Sequence, residues 1–165
     1  MLNLQTPTGI TMKRLLLLLT LLVVVNARAA DLPYDTTADA SADIHQALAR
    51  ARATHTPVLL IFGANWCEDC RSLDSSLKTD KNAALMKHEF QLVKIDVGNF
   101  DHNLDVSNSY GNPIGKGIPA AVIVSPDKKI LYSTRAGELS DARRMNADGV
   151  YGFFKQAIAS AKASN

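Results

Sequence analysis

The spacing of apolar residues changes several times along this chain, and each change marks an element. Ile44, Ala47, Leu48 and Ala51 recur at i, i+3, i+4 and i+7, which predicts an amphipathic helix over residues 41–54, with Asp39 or Ser41 placed to cap its start. Pro57 ends that pattern. Val58-Leu59-Leu60-Ile61-Phe62 is apolar at every position, as in a strand buried on both faces. Gly63 and Asn65 break the run. Cys70, Leu73 and Leu77 share one face of a second helix over 67–77, and a short helix follows near 82–88. Residues 90–97 form the next strand. Residues 120–125 and 129–134 form two more, joined by the hairpin chemistry of Pro126-Asp127-Lys128. Asn, Gly and Pro scattered through 100–116 predict an irregular stretch with a helical turn or two near 104–110. Val150, Phe153, Phe154, Ala157, Ile158 and Ala161 predict a last helix over 147–161. A strand–helix–strand unit followed by a hairpin and a helix makes an α/β sandwich: a central mixed β-sheet flanked by helices.

The first thirty residues follow another pattern. Lys13 and Arg14 precede an apolar run from Leu15 to Val25, and small residues stand at Ala27 and Ala29. A positive start, a short greasy stretch and small residues before a break describe a secretory signal peptide, residues 1–29. The run falls short of the roughly 20 residues a bilayer span needs, so no stable membrane insertion is expected after cleavage. Met12 is a second candidate start. The remaining 30–165 is expected to be a single domain in the periplasm or outside the cell. The whole chain has a formal net charge of +2 over 165 residues, but the basic surplus sits in the leader. Residues 30–165 carry 15 Lys and Arg against 16 Asp and Glu. With no long basic run, nucleic acid is not an expected partner.

Two cysteines are too few for a disulfide-dense scaffold or a four-cysteine zinc site. They stand together in Trp66-Cys67-Glu68-Asp69-Cys70, after a buried strand and at the start of a helix. Unpaired N–H groups and positive partial charge at a helix start stabilise a thiolate, so Cys67 is the expected nucleophile. Cys70, one turn on, can attack a mixed disulfide on Cys67 and release the product. Such a pair exchanges electrons two at a time and needs no cofactor and no metal. Two other readings stay open. Half a metal site would need ligands from His45, His55, His88 or His102, which show no paired spacing. A purely structural disulfide would close a loop too short to constrain much of the unfolded chain.

Over residues 57–154 the sequence resembles the thioredoxin superfamily. The likeness rests on Ala64-Asn65-Trp66-Cys67-Glu68-Asp69-Cys70, on Val93-Lys94-Ile95-Asp96 and on Gly117-Ile118-Pro119. It is similar to exported thioredoxin-like proteins such as the periplasmic C-terminal domain of DsbD. The resemblance implies a thioredoxin-like sandwich and thiol–disulfide oxidoreductase activity on protein disulfides or dithiols, with a redox partner protein still to be identified. It also implies a cis peptide at Ile118-Pro119 opposite the cysteines. The Ile118 backbone would pair with a substrate strand, and Trp66 would flank the sulfurs.

Departures from the family carry expectations of their own. The family's buried aspartate falls at Ile61 and its lysine partner at Leu92, so both halves of an internal ion pair are expected to be apolar. Glu68 and Asp69 replace the Gly-Pro of thioredoxin. They are expected to oppose a Cys67 thiolate and favour a reducing couple, nearer about −270 mV than the −120 mV of DsbA. His102, Asn103 and Tyr110 read as solvated loop residues, Arg143-Arg144 as a solvated pair, and Asn112-Pro113-Ile114-Gly115-Lys116 as an extension beside the substrate groove. An oxidant resembling DsbA lacks room here for that protein's helical insertion. A non-catalytic binding module with a static cysteine bridge is the rival from another class.

Overall fold

The structure, a computed structural model, describes residues 32–164. The leader over 1–29, the choice between Met1 and Met12, and cleavage after Ala29 lie outside the described residues. Among the described residues the order is α1 (Ala40–Thr54), β1 (Val58–Gly63), α2 (Glu68–Leu77), α3 (Asp80–Glu89), β2 (Gln91–Asp96) and α4 (Leu104–Ser109). A 3-10 turn (Pro113–Lys116), β3 (Ala120–Val124), β4 (Ile130–Ser133), a second 3-10 turn (Ala142–Arg144) and α5 (Ala147–Ala163) follow.

The strands form one mixed sheet in the order β2-β1-β3-β4. β1 pairs parallel with β2 and antiparallel with β3, and β4 closes the hairpin against β3. All six residues of β1 are buried, which explains its unbroken apolar run. Period two then sorts them. Val58, Leu60 and Phe62 face α1, packing with Ile44, Leu48, Val93, Ile95 and Val122. Leu59 and Ile61 face the other way, toward Leu73, Leu77, Met86, Phe154 and Ile158 of α2, α3 and α5. A sheet covered on both faces has two apolar layers. Truncating a core member such as Leu60 or Phe154 to Ala would cost about 2–5 kcal/mol.

Local chemistry sets the ends of the elements. The Asp39 carboxylate accepts from Ala42 N–H at 3.0 Å to start α1. His55 ends that helix at φ 56°, just before Pro57. Asn146 caps α5 by accepting from Gly149 N–H at 2.8 Å.

Three stretches depart from the sequence reading. The polar lead-in before α1 contains Tyr34, which is buried in the α1-side core. Residues 113–116 form a 3-10 turn with Pro113 and Ile114 buried, so this extension packs against the body. Between β4 and α5, Leu139 and Ala142 drop into the α5-side core. No helix among the described residues is long and apolar enough to cross a membrane.

Candidate active site

β1 delivers the chain to the site and α2 carries it away. After Gly63 the backbone turns, with Cys67 N–H donating to the Ala64 carbonyl at 3.2 Å. Cys67 is the N-cap of α2, and its sulfur accepts from Cys70 N–H at 3.1 Å. A sulfur in that position meets the donors that the first turn of a helix leaves unpaired. Cys67 and Cys70 are joined as a disulfide with their Cα atoms 5.2 Å apart. Cys67 is 5% exposed and Cys70 0%. Both are buried, and only Cys67 keeps a trace of exposure.

Opposite the pair, the Ile118–Pro119 peptide bond is cis and the Ile118 carbonyl oxygen lies 3.7 Å from Cys67 Sγ. Gly117 before it has φ 114°, a conformation that L side chains rarely adopt. The sequence-derived residues Cys67, Cys70, Ile118 and Pro119 thus come together where β1, α2 and β3 meet.

Trp66 is 55% exposed beside them, and its indole N–H donates to the Gly98 carbonyl at 2.8 Å. The sequence reading missed its neighbour Phe100, whose ring meets Trp66 edge-on at 6.2 Å between centroids. Phe100 is 43% exposed and has φ 62°. For a bulky side chain that backbone costs about 1–2 kcal/mol. The loop holding it is tied down. Gly98 N–H donates to Asp96 at 3.0 Å, Asn99 N–H to Asp101 at 2.8 Å, and the Asn103 side-chain amide to the Asp96 carbonyl at 2.8 Å. Asn103 is thus a structural tie, while His102 pairs with Asp101 at the surface. Tyr110 packs half-buried against the α1-side core, where burial pushes its hydroxyl pKa up. An aromatic residue in a loop of Gly and Asn was the only signal for Phe100.

Glu68 and Asp69 do not face water alone. Arg143 lies over both, 3.4 Å from the Glu68 carboxylate and 3.3 Å from that of Asp69. Its backbone N–H also donates to Asp69 at 2.9 Å. Arg143 is therefore a partner of the dipeptide, whereas Arg144 pairs with Asp141 at the surface. The carboxylates expected to oppose a Cys67 thiolate thus share a cation that sequence spacing could not connect to them.

Ile61 and Leu92 both pack as apolar residues, and an ion pair of other residues stands next to Ile61. Ile61 is buried and apolar as expected, but its in-register neighbour on β2 is Lys94, not Leu92. Lys94 pairs with Asp74 of α2, which also holds Lys78 at 2.9 Å. Burial alone would raise the Asp74 carboxyl; hydrogen bonds and charge from the two lysines more than offset it and hold the pKa below the usual value. Among the described residues no group of three or more His, Cys, Asp or Glu side chains is placed to hold a metal ion.

Tyr34 completes the site from behind. Its backbone is clamped to Asn65: Tyr34 N–H donates to the Asn65 side-chain oxygen at 3.0 Å, and the Asn65 amide donates to the Tyr34 carbonyl at 2.8 Å. Arg71 donates to the Asn65 carbonyl at 2.7 Å. The Tyr34 phenol lies against Gly63, on the side where Cys70 Sγ also approaches it. A Cβ on Gly63 would overlap the Tyr34 hydroxyl and come within 2.9 Å of Cys70 Sγ.

Residues 39–126 match a family model described as thioredoxin-like. No curated protein sequence matches the chain. Among solved structures it is similar to a disulphide isomerase from Xylella fastidiosa Temecula1, with 55% identity over 78% of this chain and 98% of that one, and a TM-score of 0.76. The reduced C-terminal domain of DsbD from Neisseria meningitidis is 21% identical over 71% of this chain and 96% of that one, with a TM-score of 0.52. A DsbH oxidoreductase is 18% identical over 81% and 87%, with a TM-score of 0.54. The last two likenesses show the fold.

Proposed function

The chain belongs to the thioredoxin-like family, and from that premise we propose that it is a thiol–disulfide oxidoreductase that reduces or exchanges protein disulfides through Cys67 and Cys70. The observation that carries the assignment of roles is the asymmetry of the pair: Cys67 caps α2 and keeps a trace of exposure, and Cys70 is wholly buried. A thiolate on Cys67 gains from the helix start and the Cys70 N–H. It attacks a substrate disulfide, forming a Cys67–substrate bond while the other substrate sulfur leaves and takes up a proton. Cys70 then attacks Cys67 Sγ and gives its proton to the departing substrate sulfur. The substrate gains two electrons and the protein ends as the disulfide. A reducing partner protein returns the electrons by the reverse exchange.

Ile118 and Pro119 present the backbone against which a substrate strand lies, and Trp66 with Phe100 forms an apolar wall beside it. Support for exchange as well as reduction comes from Arg143, which offsets the carboxylates expected to drive the couple strongly reducing, and from the isomerase named among similar structures. The leader read in residues 1–29 supports export to the periplasm or beyond.

Reduction of insulin by dithiothreitol should accelerate with the wild type and not with Cys67→Ala. Cys70→Ala should accumulate mixed disulfides with substrate proteins in cells; trapping through Cys67→Ala instead would reverse the roles. A couple between about −270 and −180 mV is expected, and one above about −180 mV would make the protein an oxidant. Export is tested by the N-terminus of the mature protein, expected at Ala30. Uncleaved protein retained in the cytoplasm would contradict it.

A further inference from the structure

We propose that the Tyr34 hydroxyl donates a hydrogen bond to the Cys70 sulfur in the dithiol form and so prepares Cys70 for the resolving step. The proposal rests on the reading of Cys70 as the resolving thiol.

The sulfur is fully buried, and a buried thiol resists ionisation. Asp74 on α2 and Asp96 at the end of β2 are close enough to Tyr34 to act on it electrostatically, and both disfavour a further negative charge nearby. Lys94 and Lys78 are engaged with Asp74. The strand position at which the family carries a carboxylate is Ile61, which faces the other layer of the core. A neutral donor suits such a sulfur, and the Tyr34 hydroxyl is placed near it: both atoms lie within 2.9 Å of the point where a Cβ on Gly63 would stand. Gly63 leaves open the space through which the phenol approaches, and the two-bond clamp on Asn65 fixes the residue from its backbone. Burial, then Asp74 and Asp96, push the phenol far above its ordinary pKa. It therefore keeps its proton throughout the range in which a thiol titrates. It acts as donor and not as base, and the Cys70 proton still leaves with the substrate sulfur.

Two measurements test this. In reduced Cys67→Ser protein, the pH midpoint of Cys70 thiolate absorbance should rise by about one unit on adding Tyr34→Phe, as expected for losing a hydrogen bond to a charged group. This readout does not depend on any substrate. Gly63→Ala, whose new methyl displaces the hydroxyl, should shift the midpoint in the same direction and gives a second answer if Tyr34→Phe folds poorly.

Reduced protein with both cysteines, treated with dithiobis(nitrobenzoate), should release thionitrobenzoate twice: first as Cys67 forms the mixed disulfide, then as Cys70 resolves it. Tyr34→Phe should slow only the second release, by about tenfold at neutral pH, and the gap should close as pH rises. An unchanged midpoint, or a second release slowed equally at all pH values, would overturn the proposal. A first release that survives Cys67→Ser and is lost in Cys70→Ser would instead overturn the assignment of Cys67.

Discussion

Arg143 touches both carboxylates of the dipeptide between Cys67 and Cys70, so whatever charge that dipeptide sets on Cys67 depends on three side chains acting together. Removing the cation leaves Glu68 and Asp69 uncompensated. Arg143→Met should therefore raise the pH midpoint of Cys67 alkylation and make the couple more reducing. Arg143 is half exposed and screened by water, so a shift of about half a pH unit is expected. Glu68→Gln with Asp69→Asn should move both quantities the other way. Asp74 gives a prediction about stability. Its folded pKa is depressed, so its contribution is present above the unfolded carboxylate value of about 3.9 and is lost as pH falls through the folded pKa. Asp74→Asn should lower stability at neutral pH by about 1–2 kcal/mol, since Lys94 loses its closest partner while still partly solvated. The difference from wild type should shrink on acidification, as denaturant midpoints from pH 7 down to pH 3 would show.

At the level of elements, the loop after β2 shows how backbone cost and surface chemistry are traded. Phe100 occupies the left-handed region without being buried, so packing does not repay its conformation. Phe100→Asn introduces a residue at ease there and should leave thermal stability within about 1 kcal/mol of wild type. It should also raise KM for a protein disulfide while leaving reduction of a small aromatic disulfide unchanged, since only the former reaches the wall beside Trp66. The regular elements were legible because their signals are local: the stripe of α1, the apolar run of β1, the hairpin after β3. The cysteine pair was legible for the same reason. What escaped the sequence was partnership across distance. Asp69 and Arg143 are 74 positions apart, and Tyr34 and Asn65 are 31 apart. Lys94 was visible as a lysine in a strand, but only the register of β1 against β2 sets it beside Ile61.

Taken as a whole, the molecule separates what makes it fold from what finishes its chemistry. Apart from Tyr34, both core layers are built from residues that begin at α1, and the family match begins at residue 39. Tyr34 lies upstream of all of them, held by two hydrogen bonds to Asn65. A fragment starting at Asp39 keeps its helix cap and every described strand and helix. It should fold with an unchanged far-ultraviolet spectrum, a lower melting temperature from the lost Tyr34 packing, and a higher pH midpoint for Cys70 in the dithiol form. Anyone trimming this protein to its regular secondary structure would therefore purify a sound fold with an impaired second half-reaction. The lead-in that looks like a disposable tail is the back wall of the catalyst.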